Sequence, residues 1–336
     1  MSPGEISHVL VWGATSAYAV ALICFAVDLA QLADRPDSRP AGTPAAARPS
    51  GRPTSQAPRR AAAIAMSVTT VGALLHLAGT ITRGVAAGRV PWSNMYEFAL
   101  VGTGVAVLTF LVLCRRQDAR FLGTIIMGLT VIALGVALVN FYVPVDGLVP
   151  ALQSPWLVIH VSIATIATGL FTVAFAASAL QLLKDYRARD IARTSAPQPA
   201  LVSTGPGRPD GRSPLAQERG MAHRRWRVLD QLPSTRNLEG LAFRINAVGF
   251  VLWTFTVMAG AVWAEHAWGR YWGWDPKEVW SFIVWVVYAA YLHARTTRGW
   301  SGRRAAWFVV AGYATVIFNF TGVNLFFLGL HSYSGL

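Results

Sequence analysis

Charge is the scarcest property of this sequence. Only 13% of its 336 residues are charged, about half the roughly 25% of an ordinary soluble domain, while 54% are hydrophobic. That balance argues against one large aqueous core and for many bilayer spans. Cysteine is nearly absent as well. Cys24 and Cys114 each lie inside an apolar run and no CxxC joins them, which argues against a thiol–disulfide active site. Of the 29 basic residues, only Lys184 and Lys277 are lysine, a bias typical of GC-rich genomes. The start of the chain has no basic n-region, and no small-residue cleavage site follows the first apolar run. That run is expected to be retained and not removed as a signal peptide.

What the chain does contain is long apolar segments. Eight are read at 6–30, 63–83, 95–114, 121–143, 156–183, 242–264, 279–297 and 305–330. Each can cross roughly 30 Å of hydrocarbon at about 1.5 Å per residue, and in lipid such segments must be helices. The expected fold class is therefore an all-α integral membrane protein with about eight transmembrane helices. Domain organisation follows: 1–30 is the first helix, 63–183 holds helices two to five, and 242–336 holds helices six to eight.

The connections 31–62, 115–120, 184–241 and 298–304, with Arg295, hold 24 of the basic residues. The opposite side holds Arg83, Arg89, Arg270 and Lys277. The positive-inside rule makes the first set cytoplasmic and puts both termini outside. The net charge of +13 thus points to membrane lipid as its partner and not to nucleic acid. The linkers 31–62 and 184–241 are rich in Pro, Ala, Arg and Ser without apolar periodicity, and are expected to be disordered and basic.

The stretch from Trp263 to Trp280 carries Trp263, Trp268, Trp272, Trp274, Trp280 and Tyr271 within eighteen residues, denser than an interfacial aromatic belt requires. It is expected to be an outer loop between the sixth and seventh helices. Asp275-Pro276 reads as a helix start, Asp as N-cap and Pro at N1. Flat apolar faces at the water boundary suit a planar amphipathic ligand whose polar edge meets Arg270, Asp275 and Lys277.

Histidine within a membrane is costly and suspect. His160, near the outer end of the fifth helix, and His331, past the outer end of the eighth, share the side of the tryptophan loop. Two such imidazoles supply one axial nitrogen to each face of a haem iron; the bland alternative is two interfacial histidines bound to water and headgroups. His293 lies about 18 residues beyond Asp275, roughly 27 Å along a helix, near the cytoplasmic end. If it binds a second haem, its partner ligand comes from another chain. His76 reads as a packed intramembrane histidine, His8 and His223 as terminus or loop residues, and His266 as part of the tryptophan loop.

Trp268-Gly-Arg-Tyr-Trp272-Gly-Trp274-Asp275-Pro-Lys-Glu resembles the tryptophan-rich WWD signature of haem-handling proteins. The Tyr-Leu-His293-Ala-Arg run, the closing Asn324 to His331-Ser-Tyr, Pro91-Trp-Ser-Asn94-Met-Tyr-Glu97 and Ser154-Pro-Trp-Leu-Val-Ile-His160 are similar to the CcsA/ResC branch of System II cytochrome c biogenesis. The resemblance covers the helices from about residue 74 to the end and leaves out the first helix and both Pro/Arg linkers.

It implies a multi-pass protein of the bacterial cell membrane that delivers haem b to the outer face, for thioether attachment to apocytochromes c bearing CxxCH. The activity would belong to a two-subunit cytochrome c synthase, or haem lyase, formed with a ResB-like membrane protein and served by a thioredoxin-like thiol reductant pathway. It also implies His160, His331 and His293 as axial ligands to haem iron, with Trp268, Trp272, Trp274 and Asp275 binding the cofactor. No catalytic residue is assigned. The alternatives are a CcmC- or CcmF-like haem-handling protein and a transporter of another amphipathic solute.

Overall fold

The computed structural model describes residues 1–34, 59–145, 152–195 and 227–331. Among the described residues there are helices and no strand. Eight long helices follow the eight apolar segments: α1 (Pro3–Asp34), α2 (Arg60–Ala87), α3 (Met95–Arg116), α4 (Gly123–Asn140), α5 (Pro155–Ser195), α6 (Thr235–Trp268), α7 (Pro276–Thr297) and α8 (Arg303–Phe320). A short helix, α9 (Gly322–Phe326), continues α8 after a break at Thr321.

All of the long helices except α7 are long and apolar enough to cross a membrane. α7 is less apolar because it carries Lys277, Glu278, His293 and Arg295, yet it runs through the same thickness as its neighbours. At one end Asp275 meets His331, and at the other Arg295 pairs with Glu239 near the start of α6. The chain is thus an all-α multi-pass membrane protein.

Helix ends differ from the apolar boundaries, because a helix does not stop where hydrophobicity does. α5 continues to Ser195 on polar residues, with Arg189 and Asp185 pairing one turn apart at 3.1 Å. α6 starts at Thr235, where Ser234 caps it by accepting from the Asn237 amide at 3.2 Å. The described edges of the two basic linkers are therefore more helical than expected, and their bulk, 35–58 and 196–226, lies outside the described residues. So do His223 and the Ser-Tyr that follows His331. The tryptophan loop is also shorter than expected. Nothing breaks α6 before Gly269, whose left-handed φ of 70° ends it, so Trp263 and Trp268 are helical residues.

α5 is the central helix and packs against α3, α6 and α8. One apolar cluster lies among α1 to α6 and includes Tyr18, Phe25, Phe110 and Leu134. A second lies among α5 to α8, around Phe171, Trp253, Tyr288 and Tyr313. Glycines let these helices approach. A Cβ at Gly72 would lie 2.7 Å from the Tyr18 ring, and one at Gly249 would lie 2.7 Å from Phe171; small residues at helix contacts are how bundles pack in lipid.

The ends of the helices sort into two faces. On one, Arg59 pairs with Asp28 and Asp118, and Arg187 with Asp230. On the other, Arg83 pairs with Glu97 at 2.9 Å and donates to the Val143 carbonyl at 2.8 Å. Ser7, near the start of α1, donates to the Gly79 carbonyl on this second face, and His331 lies there too.

Candidate functional site

A third, smaller apolar cluster sits at the second face, where Leu152, Leu157, Val161 and Trp263 are buried with Trp92, Phe98 and Trp268 packed around them. Beside it a cleft opens between α3, α5, α6, α7 and the end of α8. His160, His331, Trp263, Trp272 and Lys277 all line it.

The two histidines are held by different means. His160 projects from the long helix α5, and its Nδ1–H donates to the Thr256 carbonyl at 2.9 Å. Its ring stacks on Trp263 at 6.0 Å and 13°. Gly260 makes room for it: a Cβ there would lie 2.8 Å from His160 Cε1. His331 stands at the end of a short tether after α9. Its Nδ1–H donates to Asp275 Oδ2 at 2.7 Å, and its ring meets Trp263 and Trp268 edge-on at 5.4 and 4.9 Å. Both imidazoles therefore use Nδ1 for the protein, and neither Nε2 has a protein hydrogen-bond partner among the described residues. Such a tautomer leaves Nε2 as the lone-pair donor that a metal requires.

Asp275 works from behind His331. Its carboxylate caps α7 by accepting from the Lys277 amide at 3.1 Å, and Oδ1 accepts from the Leu330 amide at 2.6 Å. Glu278 completes a capping box, its Oε2 accepting from the amides of Asp275 at 3.0 Å and Gly273 at 2.8 Å. Burial disfavours the Asp275 carboxylate, but the His331 hydrogen bond and charge, with the two backbone donors, outweigh it and hold this carboxyl below its usual range.

Of the expected contacts, Trp272 lines the cleft, while Trp268 braces His331 and Trp274 is 72% exposed on its far side. Trp274 holds φ of 60°, a strained value for a non-glycine residue. Arg270 folds over Gly273, and of the three polar residues expected at a ligand's edge only Lys277 faces the cleft. Its Nζ donates to the Asn319 carbonyl at 2.6 Å. His293 is exposed on α7 near the opposite face, and His266 is exposed on α6, outside the cleft lining. His76 is buried between the Tyr18 hydroxyl and the Leu100 carbonyl, at 3.2 and 2.8 Å. His8 is less bland than expected: it accepts from Trp12 Nε1 at 3.0 Å and packs on Tyr142.

Sequence reasoning passed over Trp263 as a shared wall, Gly260 as the space for His160, and the wall formed by Trp92 to Asn94. The last is held by Glu97, which accepts from Arg83, Arg89 and the Ser93 amide. The signal available for it was the acidic residue three positions after Asn94, the α3 N-cap.

The family described as cytochrome C assembly protein matches residues 92–331. The cytochrome c biogenesis protein CcsA of Synechococcus sp. (strain CC9605) is 37% identical over 274 residues, covering 79% of this chain and 85% of that one. CcsA of Gloeobacter violaceus is 34% identical over 291 residues, covering 79% and 84%. In fold, the chain is similar to the solved structure of cytochrome c heme lyase CcmF, with a TM-score of 0.61 at 17% identity. That likeness covers 95% of this chain and 47% of CcmF, so the chain spans about half its length. On the matched span from Trp92 to His331, which holds both cleft histidines, the chain belongs to the cytochrome c assembly protein family and is similar to the CcsA proteins of cytochrome c biogenesis.

Proposed function

We propose that the cleft holds haem b and presents it for thioether attachment to CxxCH apocytochromes c. His160 and His331 would hold its iron, and Trp263 and Trp272 would pack against its ring. One observation carries the reading: two imidazoles beside one indole, each with Nδ1 tied to the protein and Nε2 left for a metal. The residues fit such a group, since the walls are aromatic and apolar and Gly260 keeps the space beside His160 clear.

When bound, haem supplies the iron and the vinyl carbons to which thiols add. The chain's own contribution is positioning. Thr256 and Asp275 set the tautomer and direction of the two ligands, the indoles exclude water, and Lys277 offers a cation to the macrocycle's acidic edge. Identity of 37% with CcsA against 17% with CcmF favours the System II pathway over its sister. In that setting the synthase activity belongs to this chain together with a ResB-like partner, served by a thioredoxin-like reductant pathway. His293 binds a second haem from its exposed position on α7, completed by that partner. The basic face is cytoplasmic, so the cleft opens outward from a bacterial plasma membrane and both termini are outside.

The test is to co-express the chain with a ResB-like protein and purify the complex in mild detergent. Reduced spectra are then recorded for wild type, His160→Ala, His331→Ala and His293→Ala. A low-spin haem b spectrum that weakens in the outer variants and returns with added imidazole is expected. A colourless wild type, or variants with unchanged spectra that still mature cytochromes, would overturn the proposal in favour of a transporter for another amphipathic solute.

A further inference from the structure

A second pocket opens on the face opposite the cleft, between the polar extension of α5 and the first turn of α8. We infer that it holds the phosphate headgroup of an anionic phospholipid. Four arginines line it, Arg187, Arg189, Arg193 and Arg303, with one carboxylate, Asp190. Tyr186, Arg187, Asp190 and Arg193 recur every three or four residues, so the helical continuation of α5 gathers them on one side. The arginines are fixed from behind. Leu229 and Leu232 are buried in the first apolar cluster, and Lys184 donates to the Leu232 and Pro233 carbonyls at 2.6 and 3.0 Å. These contacts anchor Asp230, which accepts from Arg187 Nη2 at 2.6 Å. From α8, Arg303 lays its guanidinium over the Tyr186 ring at 4.7 Å and donates to that hydroxyl at 3.1 Å. Asp185 pairs with Arg189 at 3.1 Å and lies 3.6 Å from Arg303 Nε.

Two observations call for an anion here. The Arg187 side chain is only 8% exposed, and its Nη1 has no hydrogen-bond partner among the described residues; a buried donor left unmet is costly. The second lies on α8, which begins with Arg303 and Arg304, has no acidic residue in its first turn and gains no side-chain cap from Gly302. Two cations thus stand at the positive end of a helix dipole, a place that favours negative charge. Glu239 accepts from the Gly302 amide there, but it is also bound by Arg295. Phosphate suits the site because guanidinium forks meet its oxygens in pairs. The position of the pocket makes lipid the source. Its inner rim is Leu183, the last residue of the apolar stretch of α5, and Leu183, Tyr186 and Trp307, one turn beyond Arg303, are all exposed. Arg193 lies about 15 Å further along the helix than Leu183. The pocket therefore straddles the boundary between hydrocarbon and headgroups, where Tyr and Trp gather and where basic pockets between helices bind anionic headgroups. The acyl chains then lie along Leu183 and Trp307.

The experiment uses the full chain, purified in mild detergent and stripped of lipid, with bound molecules counted by native mass spectrometry. Phosphatidylglycerol, phosphatidylcholine and glycerol phosphate are titrated separately. Wild type should bind one phosphatidylglycerol about tenfold or more tightly than phosphatidylcholine, because each basic residue near the membrane surface adds to the attraction for anionic lipid. Arg187→Gln combined with Arg303→Gln should abolish that preference. Arg115→Gln combined with Arg116→Gln removes the same charge from exposed positions at the end of α3, on the same face, and should keep it. No preference in wild type, a preference that survives in the pocket variant, or an equal loss in the α3 variant would overturn the inference in favour of diffuse attraction to a basic face. Displacement of the lipid by an equal concentration of glycerol phosphate would overturn the lipid source and assign the pocket to a soluble phosphate ester. Should the pocket variant unfold, Arg189→Gln combined with Arg193→Gln, on the exposed rim, takes its place with the same loss expected. No haem enters the measurement, so the result does not depend on what the cleft binds.

Discussion

Asp275 Oδ2 and His331 Nδ1 lie 2.7 Å apart although 56 positions separate the two residues. One carboxylate thus caps α7, holds the Leu330 amide and aims an imidazole into the cleft. Three structural tasks meet in a single side chain, which makes their separation by substitution informative.

Asp275→Asn keeps one carbonyl oxygen to cap α7 and accept from His331 at the Oδ2 position, but removes the charge behind the imidazole and turns an amide NH₂ toward the Leu330 amide. The melting temperature in detergent should fall modestly, while haem affinity falls by about 10- to 100-fold, the usual cost of weakening a partner behind a metal ligand. Haem titration of both proteins checks this. Equal affinities would mean that His331 does not bind the ligand through the atom its Asp275 bond leaves free.

The same pair sets a pH dependence. The Asp275 carboxyl is held below its usual range, so its stabilising contribution is present above the unfolded value near ~3.9 and lost as pH falls through the lower folded value. Lys277 and Glu278 also lie nearby, so the comparison must be with Asp275→Asn. The difference in melting temperature between wild type and variant should be constant near neutrality and shrink below about pH 4. A difference that persists unchanged to pH 3 would contradict it.

Gly260→Ala places a methyl 2.8 Å from His160 Cε1 and 2.9 Å from Nδ1. The ring must move and the bond to Thr256 is lost, at an overpacking cost of about 1–3 kcal/mol. The reduced haem spectrum should resemble that of His160→Ala. Gly135→Ala, with nothing within 4 Å, serves as the control and should leave spectrum and stability intact.

Glu97→Ala strands the guanidinium of Arg83, both side chains being 0% exposed. Removing one partner of such a pair costs about 3–5 kcal/mol, read as a large fall in melting temperature. Replacing Arg83 and Glu97 together by Met and Leu should recover much of it. If the double variant is no better than the single, the lost stability comes from the bonds of Glu97 to Arg89 and the Ser93 amide and not from the stranded Arg83 charge.

The helices were legible because lipid imposes one requirement, apolarity over a fixed length, and α1 to α8 each meet it or nearly so. Their ends were less so. Lys184 to Ser195 and Thr235 to Leu241 are helical outside the apolar windows for reasons of capping and local ion pairs, which hydropathy does not register. His160 and His331 stood out because histidine is rare at a membrane and side assignment grouped them. The partners that aim them, Thr256, Gly260 and Asp275, became evident only when α5, α6 and α7 were set side by side. A backbone carbonyl, a missing methyl and a cap carry no mark in a linear string. Trp274, prominent in the tryptophan-rich motif, is exposed beside Trp272 and is not among the residues that line the cleft.

The tether that carries His331 makes the two sides of the cleft unequal in how firmly they hold. His160 is embedded in a helix of 41 residues, whereas His331 hangs on a few non-helical residues fastened by one carboxylate. On the proposed reading, an incoming imidazole would displace His331 before His160, and the product would leave by that wall.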